Sequence, residues 1–377
     1  MKRLIFLGIL ALTFSCTKAS EVQLQEGSKV AYAFNFIYNA SRHAGTHENV
    51  IVSPYSAGVA LSMLAEGAEG ETKTEILKTV NAVDFKSLDI HADSLVKVVS
   101  SNSIWLREGF KVKPAYTELV QNEYEAKVST LDFSSPEAVS TINNWCSEKT
   151  EGLIPDIIKE LSPSDVMYLL NALYFKAPWD LFKKELTAEG KFYGSKGQSD
   201  VMFMNASATL PYVQYEGCQM VEIPYADGKY SMTIVVPGGE VDIPTLLDYL
   251  GEPIYYSAKS IMKERKVALA LPKFKIETTM ELNKALNSMG MRKAFGEGDF
   301  SGITRSSVAV DKVVQKCYVE VSEEGTEAAA VTSIGVRLTA MRPTETPVVM
   351  KVDKPFFFMI KSTENDNVLF IGKVMNL

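Results

Sequence analysis

Only three histidines, His43, His47 and His91, and four cysteines occur among 377 residues. So few ligands, so widely scattered, leave little material for a His/Cys metal cage. A Ser-His-Asp triad would have to recruit its histidine from a polar, surface-like stretch. There is no GxSxG elbow, no HExxH helix and no GxxxxGKS/T phosphate loop. Gly296-Glu297-Gly298 lacks the third glycine of a dinucleotide fingerprint and follows a helix instead of a strand. Glu323-Glu324 is not a glycosidase pair, because neighbours on a strand point to opposite faces, and both read as exposed charge. Enzymatic turnover, metals and other cofactors are therefore not expected. Positive charge is also scarce: 39 Lys+Arg against 46 Asp+Glu leave a net charge of −7, a field that repels nucleic acid.

Nor is there a long apolar run. Lys2 and Arg3 precede eleven uncharged residues, 4–14, too short to span a bilayer. They read as a signal peptide over residues 1–15. The small Ser15 directly before Cys16 fits a relaxed bacterial lipoprotein site that would lipidate Cys16, with residues 16–27 as a polar tether. The protein is expected to be exported and anchored in the bacterial envelope, facing the periplasm or the outside, or secreted if it is not lipidated. Beyond Cys16 three cysteines remain, Cys146, Cys218 and Cys317. At most one pair could form, and buried or free thiols fit a domain that needs no staples.

With no Pro/Ser/Gly-rich linker and no internal repeat, residues 28–377 read as one domain. Hydrophobic residues at 46% supply a large core. Val30, Phe34, Ile37 and Tyr38 share a helix face, and Ser53-Pro54 opens a second helix as N-cap and first-turn proline. A third helix is expected from about Pro136 to Cys146. Thr278 and Glu281 suggest a capping box for a helix ending at Gly290. Residues 166–175 and 230–236 are apolar strand candidates, Val267, Leu269 and Leu271 alternate with alanine, and residues 355–360 and 368–374 form a C-terminal pair. Helices first and strands later indicate an α+β fold.

Residues 318–342 read YVEVSEEGTEAAAVTSIGVRLTAMR. A strand ends at Val321. The even positions Thr326, Ala328, Ala330, Thr332, Ile334, Val336 and Leu338 are all uncharged, while Glu327 and Arg337 are odd. Such a segment can enter a sheet without carrying charge into the core. No proline interrupts it before Pro343, so no ladder donor is missing. Three alanines and two glycines nevertheless make it a poor permanent strand.

Gly325-Thr326-Glu327-Ala328-Ala329-Ala330 after Glu323-Glu324 closely resembles the hinge of the inhibitory serpins. The resemblance extends along the mature chain, through residues 49–70 with their Ser-Pro helix start, Asn143-Asn144-Trp145 with Thr150-Glu151-Gly152, LNALYFKAPW at 170–179, Leu271-Pro272-Lys273-Phe274, and the C-terminal pair around Phe370-Ile371-Gly372. It implies helices around three β-sheets, with an exposed reactive loop at about 323–345. A target endopeptidase would cleave the loop, become covalently trapped in a 1:1 complex, and be carried off as the loop inserts into the main sheet. A monomer is expected. Family spacing puts the attacked bond at Thr339-Ala340, with Arg337, Leu338, Met341 and Arg342 as alternatives. Residues 325–339 would insert about 45 Å of strand at roughly 3.3 Å per residue. Ser53, Ser56, Asn171 and Gln315 match the shutter over which the sheet parts. Gln315 stands where the family commonly has histidine, and its amide would bond Asn171 or Ser56 without titrating. The alternative is a non-inhibitory relative, a carrier or a plain protease substrate.

Overall fold

The computed structural model describes residues 27–85, 96–239, 242–243, 246–247, 251–323 and 346–377. Outside them lie the expected leader with Cys16, His91, and residues 324–345, which hold the hinge from Glu324 onward and every candidate for the attacked bond.

Helix α1 (Lys29–Ala44) is capped by Ser28, whose hydroxyl accepts from the Ala31 amide at 3.1 Å. Helix α2 (Pro54–Glu66) starts as its sequence predicts, with Pro54 in the first turn and Ser53 accepting from the Ser56 amide at 3.1 Å. It carries no charge before Glu66 and is buried from Pro54 to Ala65, as an all-apolar helix must be. Gly58 is required there by close packing, since a Cβ would lie 2.4 Å from the Phe85 ring. The other helices are α3 (Gly70–Thr79), α4 (Pro114–Tyr124), α5 (Ala138–Lys149), α6 (Glu252–Ile261) and α7 (Asn283–Ser288).

Five strands form one sheet in the order β10 (Phe274–Glu281), β11 (Lys312–Val321), β4 (Met167–Lys176), β2 (Lys97–Arg107), β3 (Lys127–Leu131). Nine form the second set: β1 (Val50–Val52), β14 (Val368–Val374), β13 (Phe356–Ser362), β8 (Tyr230–Pro237), β7 (Cys218–Pro224), β6 (Gly197–Tyr215), β9 (Lys263–Pro272) and β12 (Val348–Lys351) in that order, with β5 (Ala188–Gly194) also on β6. Strand β6 has 19 residues and pairs with β5 and β9 before its end reaches β7. The expected three sheets thus appear as two hydrogen-bonded sets, because two of them share this strand.

Side-chain alternation splits the interior in two. Met167, Leu169, Leu173 and Phe175 of β4 face the main core with α1, α2, β13 and β14, as do Val313, Cys317, Val319 and Val321 of β11. Tyr168, Leu170, Ala172 and Tyr174, with Val314 of β11, face a second cluster roofed by Ile142 and Cys146 of α5 and by Ile154, Ile157 and Ile158 after it. Both faces of β4 are covered, which explains its nearly continuous apolar sequence.

Several expectations are corrected. Thr278 and Glu281 are not a capping box; they lie in β10, where eight register pairs with β11 outweigh the local helix signal. The helix that follows is the shorter α7, and Gly290 takes the left-handed φ of +111° just beyond it. Helix α5 begins at Ala138 and runs on to Lys149. Cys146, Cys218 and Cys317 are buried thiols outside any disulfide, in line with the sequence reading. Burial pushes the Cys146 thiol up to about 12, leaving an inert thiol at neutral pH. His43 and His47 are exposed, as their surroundings imply.

Candidate functional site

The site lies on the line between β11 and β4, which run parallel. Eight register pairs join them, from Lys312↔Tyr168 to Val319↔Phe175, whereas β10–β11 and β4–β2 are antiparallel. Chain emerging from the end of β11 and folding back on itself would run antiparallel to both flanking strands.

An amide row crosses this line at mid-height. Gln315 pairs in register with Asn171, and Asn171 with Asn102 of β2, so all three side chains fall on one face. That face meets the start of α2. Gln315 Nε2 donates to Asn171 Oδ1 at 2.7 Å and to Ser53 O at 3.0 Å, and its Oε1 accepts from the Ser53 amide at 2.9 Å. Asn171 Nδ2 donates to Ser56 O at 3.0 Å, to Asn102 Oδ1 at 2.5 Å, and to the Ser56 hydroxyl. Ser53 and Ser56 are fully buried, and Gln315 and Asn171 are 1% exposed. Burial of so many polar atoms is tolerated because each has a partner. The structure therefore brings Ser53, Ser56, Asn171 and Gln315 together, with Gln315 on Ser53 and Asn171 while Ser56 is bonded by Asn171.

Sequence reasoning missed Asn102 and its neighbour Ser100, whose hydroxyl lies 3.4 Å from that of Ser56. The available signal was the polar run Ser100-Ser101-Asn102-Ser103 inside an otherwise apolar strand.

Glu323 marks where the chain leaves the sheet, and here the expectation of exposed charge fails. Its side chain is 5% exposed and pairs with Lys273 Nζ at 2.6 Å, while the Thr187 hydroxyl donates to it at 2.5 Å. As the next odd residue beyond Val321 it stays on the inward side, where Lys273 and Thr187 supply the partners that the exposed-charge reading left out. Burial alone would raise its pKa, but hydrogen bonds from Lys273, Thr187 and the backbone outweigh that and hold it below the ordinary 4.5. Lys273 lies in a stretch singled out from sequence, without this role. Among the described residues no His/Cys/Asp/Glu group is arranged to hold a metal.

Buried amides thus pin a parallel strand pair in an α+β fold of two hydrogen-bonded sheet sets. The chain matches the serpin (serine protease inhibitor) family over residues 28–377, and it belongs to that family. It is 32% identical to an uncharacterized serpin-like protein of Thermococcus kodakarensis, covering 97% of this chain and 89% of that one. It is 33% identical to Iripin-2 of Ixodes ricinus, over 99% of this chain and 97% of the tick protein. Among solved structures, the thermophilic serpin tengpin in its native state superimposes with a TM-score of 0.82 at 30% identity, covering 93% of each chain. Thyroxine-binding globulin in complex with thyroxine gives 0.82 at 25% identity, over 93% of this chain and 98% of that one. The family is in general one of protease inhibitors.

Two predictions follow from this geometry. Asn171→Ala would leave Asn102 Oδ1 without its amide donor and take one bond each from Gln315 Nε2, which keeps Ser53 O, and from Ser56, and should cost about 2–4 kcal/mol in urea unfolding. For Glu323, whose folded pKa is depressed, the stabilisation is fully present above pH 4.5 and is lost as pH falls through the lower folded value. Wild type should melt above Glu323→Gln near neutral pH, and that gap should close on acidification below 4.5.

Proposed function

We propose that this chain is a covalent-trapping suicide inhibitor of serine endopeptidases, with cysteine endopeptidases as a second target class. The observation that carries the proposal is the parallel β11–β4 pair, with residues 324–345 following the end of β11 in sequence. An enzyme's serine hydroxyl adds to the Thr339 carbonyl carbon. The Thr339–Ala340 bond breaks, the Ala340 amine leaves with a proton, and Thr339 stays esterified to the enzyme. Before water completes hydrolysis, residues 325–339 enter between β11 and β4 as a strand antiparallel to both.

Parity favours that step. The odd residues of β11 face the main core, and the loop's uncharged even series would share that face, leaving Glu327 and Arg337 on the α5 side. Insertion exchanges one parallel ladder of eight register pairs for two antiparallel ones. The net gain is about eight hydrogen bonds, on the order of 8 kcal/mol at roughly 1 kcal/mol each. The uncleaved form is then a kinetic trap. Ser53, Ser56, Asn171 and Gln315 act as the shutter, and Glu323 and Lys273 hold the root of the hinge. Because Gln315 is neutral, opening has no histidine titration at this place. In the same reading the protein is a monomer, exported through residues 1–15, lipidated at Cys16 and held at the bacterial envelope.

The likeness to thyroxine-binding globulin raises a second reading, a binding protein whose loop is only a substrate. Denaturing gel electrophoresis after mixing with elastase-like, trypsin-like and cathepsin-like enzymes separates the two. A covalent adduct is expected, with mass spectrometry of the released peptide beginning at Ala340; complete cleavage without adduct contradicts the proposal. Thr326→Arg should keep the fold but turn inhibitor into substrate, since its charge would enter the core face.

A further inference from the structure

Away from the β11–β4 pair, the five-stranded sheet ends beside a cleft that the inhibitory reading does not use. Strand β3 is that edge, paired to β2 alone among the described strands. Helix α4 hands over to it within two residues, Glu125 and Ala126, because Glu125 turns the chain with a left-handed φ of +50°. Helix α5 closes the other side. The space between the two helices and the start of β3 has a volume of about 440 Å³, and Gln121, Glu125, Lys127, Val128, Trp145 and Lys149 line it.

Two of these residues are cations without an acid. Lys127 pairs in register with Ser103 and so shares a face with Trp105, two residues further along β2. Its ammonium lies 4.8 Å from the centre of the Trp105 ring and 5.9 Å from that of Trp145. The Trp105 indole N–H already donates to the Ser103 hydroxyl at 2.9 Å, so the lysine meets ring faces and not polar atoms. A ring face attracts a cation, but it does not accept the ammonium's three N–H groups as oxygen does. Among the described residues neither Lys127 nor Lys149 pairs with a carboxylate, Glu125 of the same cleft included. A lysine on an edge strand blunts unwanted pairing, and one in the last turn of α5 suits the helix dipole. Those uses explain the residue types and leave both ammoniums short of an anion.

We propose that this cleft binds a planar aromatic acid, with its carboxylate between Lys127 and Lys149 and its ring on the partly exposed indole of Trp145 and against Val128. The volume falls within the range of small-molecule pockets and exceeds what an inorganic anion fills. Two lysines against one glutamate in the lining favour a negative ligand. Charge-assisted hydrogen bonds would fix its acid end, and the indole its flat end. None of these residues belongs to the reactive loop, so the site stands apart from the strand-insertion reading.

Isothermal titration calorimetry of the intact protein tests this with naphthoate as the probe and naphthamide as its uncharged counterpart. The acid should bind at one site and the amide at least about tenfold more weakly. Lys127→Met keeps the stem over the indoles while removing the charge, and should weaken the acid about tenfold; Trp145→Leu should weaken it by a similar factor. Lys351→Met, which removes a lysine from the Phe203 ring on the other sheet set, should leave binding unchanged. Circular dichroism checks that each variant is folded, and the comparison of acid with amide needs no variant. No saturable heat with naphthoate, equal affinity for acid and amide, or unchanged affinity in both Lys127→Met and Trp145→Leu overturns the proposal. Equal weakening in Lys351→Met would mean loose association with surface lysines and overturns it as well.

Discussion

Parallel pairing of β11 with β4 is the constraint on which the rest of the molecule depends. The pairs on either side of it are antiparallel, the sheet's other parallel pair, β2–β3, lies at the far edge, and the chain leaves the sheet at the end of β11. Parallel ladders are slightly weaker per residue than antiparallel ones. Of the two parallel lines in this sheet it is the one that adjoins the end of β11, so an antiparallel strand supplied from there would replace one weaker ladder with two stronger ones. Side-chain contacts cross or cover it on both faces: buried amides against the start of α2 on one, and on the other an ion pair from Lys316 to Asp156 in the flap made of α5 and the segment after it.

The two faces solve different physical problems. On the core face a charge would be costly, and the row Gln315–Asn171–Asn102 uses neutral amides whose donors and acceptors meet each other or backbone groups of α2. Glutamine at this point makes the lock indifferent to pH. On the flap face the acids, Asp156 and Glu277, are half exposed, so Lys316 can be carried there with modest desolvation. A third arrangement, Glu323 with Lys273 and Thr187, anchors the chain just beyond the end of β11.

Much of the fold was legible in the sequence where local and global preferences agree. The Ser53-Pro54 start, the apolar run that became β4 and the C-terminal strand pair each combine a strong period with clear punctuation. The capping box at Thr278 was misleading because pairing with β11 outweighs a local helix signal, and Glu323 because its charge signalled exposure while its partners, Lys273 and Thr187, lie 50 and 136 positions away. The four shutter residues came from family resemblance. Asn102 was invisible because a polar residue in a strand usually faces solvent, and only strand order shows that it lies beside Asn171. Lys316 escaped for a related reason: its two partners lie 160 and 39 positions away in the chain.

The central claim is that the intact molecule stores free energy which loop cleavage releases through an added strand. Thermal unfolding of the intact protein and of protein nicked within residues 337–342 tests it most directly. The account predicts that the nicked form unfolds at a clearly higher temperature, because the extra ladder is then in place. A nicked form that melts at or below the intact one would contradict it.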